Sequence, residues 1–306
     1  MEIEQIDWQL CCPVCRGPVN GAAAGRCHCT ACGLVFVLQD GIWNFLPLER
    51  EPLYAQFLRE YALIRAAEER TRTDPGYYRA LPYPPQDDPL AAMWRQRARS
   101  WLLLQQRVLT PLEPRRLRIV DMGAGNGWLS HQLARRGHRP AAVDIFTDDG
   151  DGLGAAHHYQ LPLPLLRAEF TRVPLAAAQA DLVIFNASFH YAENYVDCLR
   201  EAARLLHPGG MVVVMDTPVY QARESGMQMV REREAAFTER YGFPSNALPA
   251  RHFLTQAGIA LLAEQLGIRW RLQWAVPRWR RRLRRWRRGL YGRRQAAEFP
   301  LLVGRF

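Results

Sequence analysis

From residue 117 onward, short apolar runs alternate with stretches in which hydrophobic residues recur at helical spacing. Three helices are predicted, near 128–136, 194–206 and 254–266, and Gly137 and Pro208-Gly209-Gly210 suit helix ends. This alternation predicts an α/β fold, a doubly wound, mostly parallel sheet of seven strands with helices on both faces. The apolar runs predict strands near 117–122, 140–144, 164–168, 181–186, 211–216, 268–274 and 299–303.

Two regions of different character precede the α/β pattern. Residues 1–47 form a module rich in cysteine and glycine, and residues 48–115 read as a helical linker with loops at 75–78 and 81–85. Tyr77-Tyr78-Arg79 could cover a ligand as a lid, although surface packing explains it equally well. We therefore expect three parts, at 1–47, 48–115 and 116–306, the last with a basic amphipathic insertion at 277–294.

The composition is that of a soluble globular protein, with 48% hydrophobic and 23% charged residues among 306. No apolar run is long enough to cross a bilayer, and the acidic N-terminus lacks a signal-peptide pattern. Six of the seven cysteines fall in the first 32 residues, spaced for a metal rather than for disulfides. These features predict a cytoplasmic protein, and the basic segment near the C-terminus adds membrane association as an expectation.

The cysteines form two C-x-x-C knuckles, each followed closely by glycine. Cys12 and Cys15 make the first and Cys29 and Cys32 the second. Two thiolates on a tight turn can share one metal ion, and two such turns complete a tetrahedral set of four sulfurs, which favours structural zinc. Cys27 could replace Cys29, but the trailing glycine favours Cys29. The alternative is that reduced cysteines simply pack in a small core.

A glycine-rich turn follows the first strand of the α/β region. Gly123, Gly125 and Gly127 stand at alternate positions after Asp121, and such glycines let the backbone approach a nucleotide-like group. Asp144 ends the next strand, where a carboxylate can meet ribose hydroxyls. A dinucleotide site would have the spacing G-x-G-x-x-G, so this spacing favours another nucleoside cofactor. A degenerate copy that binds nothing is the remaining alternative.

This turn resembles motif I of class I S-adenosylmethionine-dependent methyltransferases, and the resemblance extends over residues 117–275 and the last strand. Segment 205–214 resembles the helix end and fifth strand of that family. The resemblance implies that S-adenosylmethionine is the cofactor. It also implies that Asp121 anchors the amino-acid end, that Asp144 holds the ribose and that Glu169 faces the adenine. The cofactor-binding residues expected are Asp121, Gly123, Ala124, Gly125, Asn126, Gly127, Asp144, Ile145, Glu169, Phe170 and Asn186.

The N-terminal module has a resemblance of its own, over residues 12–45. It is similar to the short zinc-ribbon proteins that partner methyltransferases and to the N-terminal ribbons of some rRNA guanine methyltransferases. This similarity implies a zinc ribbon and carries no information on the substrate.

The loop from Asn186 to Tyr191 is expected beside the cofactor, beyond the carboxyl end of a strand. His190 could accept a proton from the methyl acceptor, with Tyr191 next to it, and these two are the candidate catalytic residues. The alternative is that both only line the pocket, since many methyl transfers need little beyond alignment. Segment 148–152 resembles a metal-binding loop but lacks the spaced glutamate of an EF-hand, so it reads as a loop near the ribose.

The net charge of +10 comes from residues 278–294, which contain ten arginines and no acidic residue. Trp279, Leu283, Trp286 and Leu290 would form one stripe of a helix over 278–291. Such a helix can lie on an anionic membrane, pack against the sheet edge or contact nucleic-acid phosphates. Two tryptophans on the stripe favour the membrane, because indole suits the interface.

Together these features predict an enzyme that methylates a small-molecule or lipid-like acceptor. The main alternative is methylation of an RNA base, suggested by the ribbon and the basic segment. A second alternative is a non-catalytic ribbon protein that assists another methyltransferase. The sequence does not predict an oligomeric state.

Overall fold

A computed structural model of the chain describes residues 1, 5–22, 25–276, 279 and 294–306. The N-terminal module is a meander of short antiparallel strands, each pairing with the next. These strands are β1 (Val19–Ala22), β2 (Arg26–Cys29), β3 (Val35–Gln39) and β4 (Ile42–Asn44).

The region between the module and the main domain is helical, as predicted, and consists of α1 (Glu51–Ala67), α2 (Pro75–Ala80) and α3 (Ala91–Leu104). The prediction of a loop at 75–78 is wrong, because that segment begins α2. Asp74 caps this helix by accepting a hydrogen bond from the Gly76 N–H at 2.8 Å, and proline occupies the first helical position.

The predicted strands and helices of the α/β region are confirmed within a few residues. Helix α6 is an addition that the pattern did not predict. Gly226 is its only buried residue, so the helix has no apolar stripe that periodicity could reveal. The elements are β5 (Arg118–Met122), α4 (Trp128–Arg135), β6 (Arg139–Asp144), β7 (Leu165–Arg167), β8 (Ala180–Asn186), α5 (Tyr195–Leu205), β9 (Leu206–Met215), β10 (Val219–Tyr220), α6 (Arg223–Tyr241), β11 (Leu254–Thr255), α7 (Gln256–Leu266), β12 (Arg269–Gln273) and β13 (Leu301–Arg305).

The main sheet is mixed and larger than predicted. Its central strands run in the order β7-β6-β5-β8-β9-β13-β12. Neighbouring strands from β7 to β9 are parallel, whereas β13 is antiparallel to both of its neighbours, β9 and β12. The described residues make an 11-stranded sheet rather than seven strands, because β4 pairs parallel with β7 through Trp43 and Leu166. An edge strand presents unpaired N–H and C=O groups, and the ribbon covers those of β7.

The ribbon is also held by side chains. Trp43 and Phe45 are buried in the same hydrophobic core as Val120 and Leu166 of the central sheet. Arg16, in the first knuckle, pairs with Glu201 of α5 at 3.1 Å. The module is therefore packed on the α/β region rather than tethered to it.

The predicted basic insertion lies almost entirely outside the described residues. Of the segment 277–294, only Trp279 and Arg294 are described, and Trp279 is exposed. The helix predicted over 278–291 thus stays a prediction. Within the described ranges, every helix is too short or too polar to span a bilayer.

Candidate active site

A cavity of about 310 Å³ opens at the carboxyl ends of β5, β6 and β8, where open α/β sheets bind their ligands. The turn after β5 forms its floor. Gly123, Gly125 and Gly127 have φ angles of 74°, 54° and 74°, a region that side chains with a Cβ avoid. The alternate glycines of the sequence are therefore required by the backbone of this turn.

Asp144, at the end of β6, is tied to the glycine turn. Its Oδ2 accepts a hydrogen bond from the Gly125 N–H at 2.8 Å, and its Oδ1 accepts one from the Phe146 N–H at 2.9 Å. Burial raises the pKa of this carboxyl, and the backbone N–H groups oppose that rise. A carboxylate has about four lone-pair sites, so Asp144 can still accept a hydrogen bond from a hydroxyl group in the cavity.

Gly123 also brings the turn close to the loop after β8. A Cβ at this position would lie 2.3 Å from the Ser188 Cβ, so no larger residue fits without movement. The Ser188 hydroxyl donates a hydrogen bond to the carbonyl of Met122, which joins the two loops. The floor of the cavity is thus a packed junction of two strand ends.

The structure brings most of the predicted site residues to this cavity. Asp121, Gly127 and His190 are not among the described residues that line it. Those that do are Gly123, Ala124, Gly125, Asn126, Asp144, Ile145, Glu169, Phe170, Asn186 and Tyr191.

Asp121 lies beneath the glycine turn and is fully buried. Its Oδ2 accepts a hydrogen bond from the Ser130 hydroxyl at 2.8 Å, and Oδ1 has no partner among the described residues. Burial raises the pKa of this carboxyl to about 7. The side chain therefore supports the turn from below, at the start of α4, rather than facing the cavity.

Glu169 is engaged by the helical region. Its Oε1 accepts hydrogen bonds from Arg50 Nε at 2.9 Å and from the Tyr54 hydroxyl at 2.6 Å. Its Oε2 is buried and has no hydrogen-bond partner among the described residues. Only this second oxygen is free of α1 and can accept a hydrogen bond from a ligand.

The two candidate catalytic residues differ in position. Tyr191 lines the cavity, whereas His190 does not, and its half-buried ring has an Nδ1 with no hydrogen-bond partner among the described residues. Burial lowers the pKa of His190 to about 3, and the nearby His252 imidazole and Arg233 guanidinium disfavour its protonation further. The imidazole is neutral at pH 7 and a weak proton acceptor, so this geometry does not favour a role as general base.

One wall of the cavity is basic, and no pattern in the sequence predicted it. Arg65 of α1 pairs with Asp151 at 3.3 Å and stacks over the Tyr61 ring at 4.1 Å. Arg97 of α3 packs over Trp94 at 5.5 Å, and its Nε has no partner among the described residues. The sequence held no signal for these arginines, because only the packing of α1 and α3 over the sheet brings them here.

The four predicted metal ligands cluster in the ribbon. The Sγ atoms of Cys12, Cys15, Cys29 and Cys32 all lie within 4.8 Å of one another. The Cys12–Cys32 and Cys15–Cys29 distances are 3.7 and 3.3 Å. Tetrahedral zinc with Zn–S bonds of about 2.3 Å separates its sulfurs by roughly 3.8 Å. The donor set therefore fits one zinc ion, and Cys27 lies outside this group.

Comparison with known proteins identifies the domain around the cavity. Residues 120–214 match the family model of a methyltransferase domain, which spans the glycine turn, Asp144, Glu169 and Asn186. Residues 120–214 therefore carry a methyltransferase domain. The match begins within β5 and ends within β9, so it covers the strands that build the cavity floor.

Characterised relatives of the methyltransferase domain have different acceptors. The chain is 31% identical over 150 residues to dimethylglycine N-methyltransferase of Parasynechococcus marenigrum, covering 48% of this chain and 51% of the relative. It is 32% identical over 98 residues to malonyl-[acyl-carrier protein] O-methyltransferase of Hahella chejuensis, covering 31% of this chain and 34% of the relative. The chain thus spans about half or less of the length of these relatives.

Among solved structures, one similar to this chain is an S-adenosylmethionine-dependent methyltransferase from Mesorhizobium loti. The two have a TM-score of 0.49 and 18% sequence identity, and the likeness covers 68% of this chain and 98% of the other.

Proposed function

We propose that this protein transfers a methyl group from S-adenosylmethionine to a small-molecule or lipid-like acceptor. One observation carries the proposal: the glycine turn and Asp144 converge on a cavity at the carboxyl ends of the central strands. The alternative is a non-catalytic ribbon protein that only assists another methyltransferase. Such a protein would not need a cavity with a glycine floor and a carboxylate that can accept further hydrogen bonds.

The residues around the cavity fit the cofactor. Asp144 would accept a hydrogen bond from the ribose hydroxyls, because its backbone hydrogen bonds leave part of the carboxylate's acceptor capacity unused. Asn186 has a buried Oδ1 without a partner among the described residues, and it would accept from the amino group of the methionine end. Phe170 would contact the adenine, and Oε2 of Glu169, which has an ion pair with Arg172 at 3.7 Å but no hydrogen-bond partner among the described residues, would accept from its amino group.

Bound S-adenosylmethionine supplies an electrophilic methyl group on its sulfonium sulfur. The protein's part is to hold the acceptor in line with that bond and to exclude water. Tyr61, Tyr191 and Trp94 give the cavity aromatic walls, and Arg65 and Arg97 make one side basic. These walls suit a compact organic acceptor, and the relatives named for dimethylglycine and malonyl groups support that class.

Calorimetry with S-adenosylhomocysteine tests the cofactor site. We expect a dissociation constant on the order of micromolar for the full chain. Asp144→Ala should weaken binding at least tenfold, because hydrogen bonds to a charged group contribute about 1.5–3 kcal/mol. Asp149→Ala removes an exposed acid from the same region and should change little. Absence of binding to the unaltered chain would overturn the proposal, and co-purification with a second methyltransferase would then favour the assisting role.

A second experiment tests the acceptor class and the predicted role of residues 278–294. Co-sedimentation with anionic liposomes is compared with an RNA gel shift, for the full chain and for a deletion of 278–294. We expect liposome binding that the deletion abolishes, because ten arginines attract anionic headgroups. RNA binding without liposome binding would instead favour methylation of an RNA base.

We also propose that the N-terminal module holds one structural zinc ion through Cys12, Cys15, Cys29 and Cys32. Four thiolates close the coordination sphere, so the metal would stabilise the ribbon without taking part in the reaction. Because β4 continues the main sheet next to β7, the ribbon in turn covers an edge of the catalytic domain.

A further inference from the structure

A second cavity of about 190 Å³ adjoins the cofactor cavity. On its far side lie Arg233 and Phe237 of α6, together with Ser245 and His252. The two cavities meet at side chains of α1 and of the loops facing it. The residues that line both are Phe57, Tyr61, Arg65, Arg70, Tyr191 and Leu248.

Among the described residues, three arginines line the second cavity; two are paired with carboxylates and one, Arg233, is not. Arg65 is paired with Asp151 at 3.3 Å, and Arg70 with Glu68 at 2.6 Å. Arg233 has no ion pair with any described carboxylate; its Nη2 donates only to the Ser245 carbonyl, at 3.4 Å.

Arg233 also leaves a donor unused. Its Nε is buried and has no hydrogen-bond partner among the described residues. A guanidinium stays charged in proteins even when partly buried, and a buried donor without an acceptor costs about 1–3 kcal/mol. An anion bound in the cavity would remove that cost.

Glu68, the acidic residue that lines this cavity, is paired with Arg70, and the remaining lining side chains are aromatic or neutral. Phe57 and Phe237 lie on either side, and Tyr61 and Tyr191 form the boundary with the cofactor cavity. Their rings offer a surface for a planar or apolar group. His252 adds no second positive charge beside Arg233, because burial lowers its pKa to about 3 and leaves it neutral.

We propose that the second cavity binds the methyl acceptor and that this acceptor is an organic anion. Its carboxylate or phosphate oxygens pair with Arg233, and its apolar or planar body lies between the aromatic side chains, with the reacting atom toward Tyr191. Paired oxygens match the fork of a guanidinium, which makes Arg233 a determinant of specificity. This inference rests on the proposed methyl transfer and adds the chemical class of the acceptor.

Three probes of similar shape test it by calorimetry on the full chain saturated with S-adenosylhomocysteine: 3-phenylpropionate, phenyl phosphate and the neutral 3-phenylpropionamide. We expect at least one anion to bind tenfold or more tightly than the amide. Arg233→Met should abolish that preference, and Arg233→Lys, which keeps the charge, should retain part of it. Arg231→Met changes an exposed arginine of the same helix and should have no effect. The stronger of the two anions shows whether the site prefers a carboxylate or a phosphate.

The variants also separate this inference from the proposed function. Arg233→Met should bind S-adenosylhomocysteine as the unaltered chain does, which shows that it is folded. Equal binding of anions and amide, or no binding of either anion, would overturn the inference while leaving the cofactor site intact. Loss of the preference in Arg97→Met instead of Arg233→Met would also overturn it, because the anion would then lie in the cofactor cavity. Failure of the unaltered chain to bind S-adenosylhomocysteine would contradict the proposed function itself.

Discussion

Arg50 donates a hydrogen bond from Nε to Oε1 of Glu169, at 2.9 Å, and so joins the start of α1 to the segment after β7. The Glu169 side chain is only 2% exposed, whereas that of Arg50 is 29% exposed. Truncating the arginine would leave Oε1 of this buried carboxylate without its charged partner, and only the longer contact of Oε2 with Arg172, at 3.7 Å, would remain. This contact therefore holds the helical region over the cofactor cavity.

We expect Arg50→Met to lower the free energy of unfolding by about 1.5–3 kcal/mol, the range for a hydrogen bond to a charged group. Urea denaturation measures the change. Arg59→Met, an exposed arginine on the same helix, is the matched control and should stay within about 0.5 kcal/mol of the unaltered chain. Equal losses in the two variants would show that the pair does not stabilise the fold.

A pair of glycine substitutions separates steric crowding from backbone strain. Gly123 and Gly137 have φ angles of 74° and 81°, but only at Gly123 would a Cβ meet a neighbour, Ser188. Gly137→Ala should cost about 1–2 kcal/mol for the left-handed conformation. Gly123→Ala should cost a further 1–3 kcal/mol or so for the clash. Similar urea midpoints for the two variants would contradict the close approach of the two loops.

The zinc proposal predicts one metal ion per chain by elemental analysis. Cys12→Ser and Cys29→Ser should lose the ion and lower the melting temperature, because metal binding contributes to the folding of small metal modules. Cys27→Ser should keep the ion, since Cys27 is outside the cluster of four thiols. If Cys27→Ser lost the metal ion and Cys29→Ser kept it, the fourth ligand would be Cys27 rather than Cys29.

Asp121 should make the stability of the cofactor-free chain depend on pH. Its pKa rises from about 3.9 in the unfolded chain to about 7 in the fold, because the carboxyl is buried. The folded state therefore binds the proton more tightly, and the stability this provides is present at low pH and is lost as pH rises from about 4 to 7.

Asp121→Asn cannot lose that proton, so it isolates the effect from other titrating groups. Its free energy of unfolding, relative to the unaltered chain, should increase between pH 5 and pH 8. Urea denaturation at the two values checks this. If the difference in free energy of unfolding between Asp121→Asn and the unaltered chain stayed constant, or fell between pH 5 and pH 8, Asp121 would not be protonated in the fold.

Much of the α/β region could be predicted because its signals are local. Buried strands appear as apolar runs, and the glycines after β5 are required by positive φ angles in a single turn. Helix α6 could not be predicted, because it buries only Gly226 and so has no periodic apolar face. It nevertheless supplies Arg233, on which the inferred acceptor class depends.

The sequence by itself determined most elements of the α/β region, the cysteine pairs and the ligand-facing turn, because each depends on residues that are close together in the chain. Tertiary structure alone decided that the ribbon extends the sheet beside β7 and that Arg50 and Tyr54 occupy one oxygen of Glu169. It also decided that Asp121 points below the turn and that Arg233 reaches a cavity next to Tyr191. These relationships join residues far apart in the chain, and packing of helices and strands, rather than local pattern, brings them together.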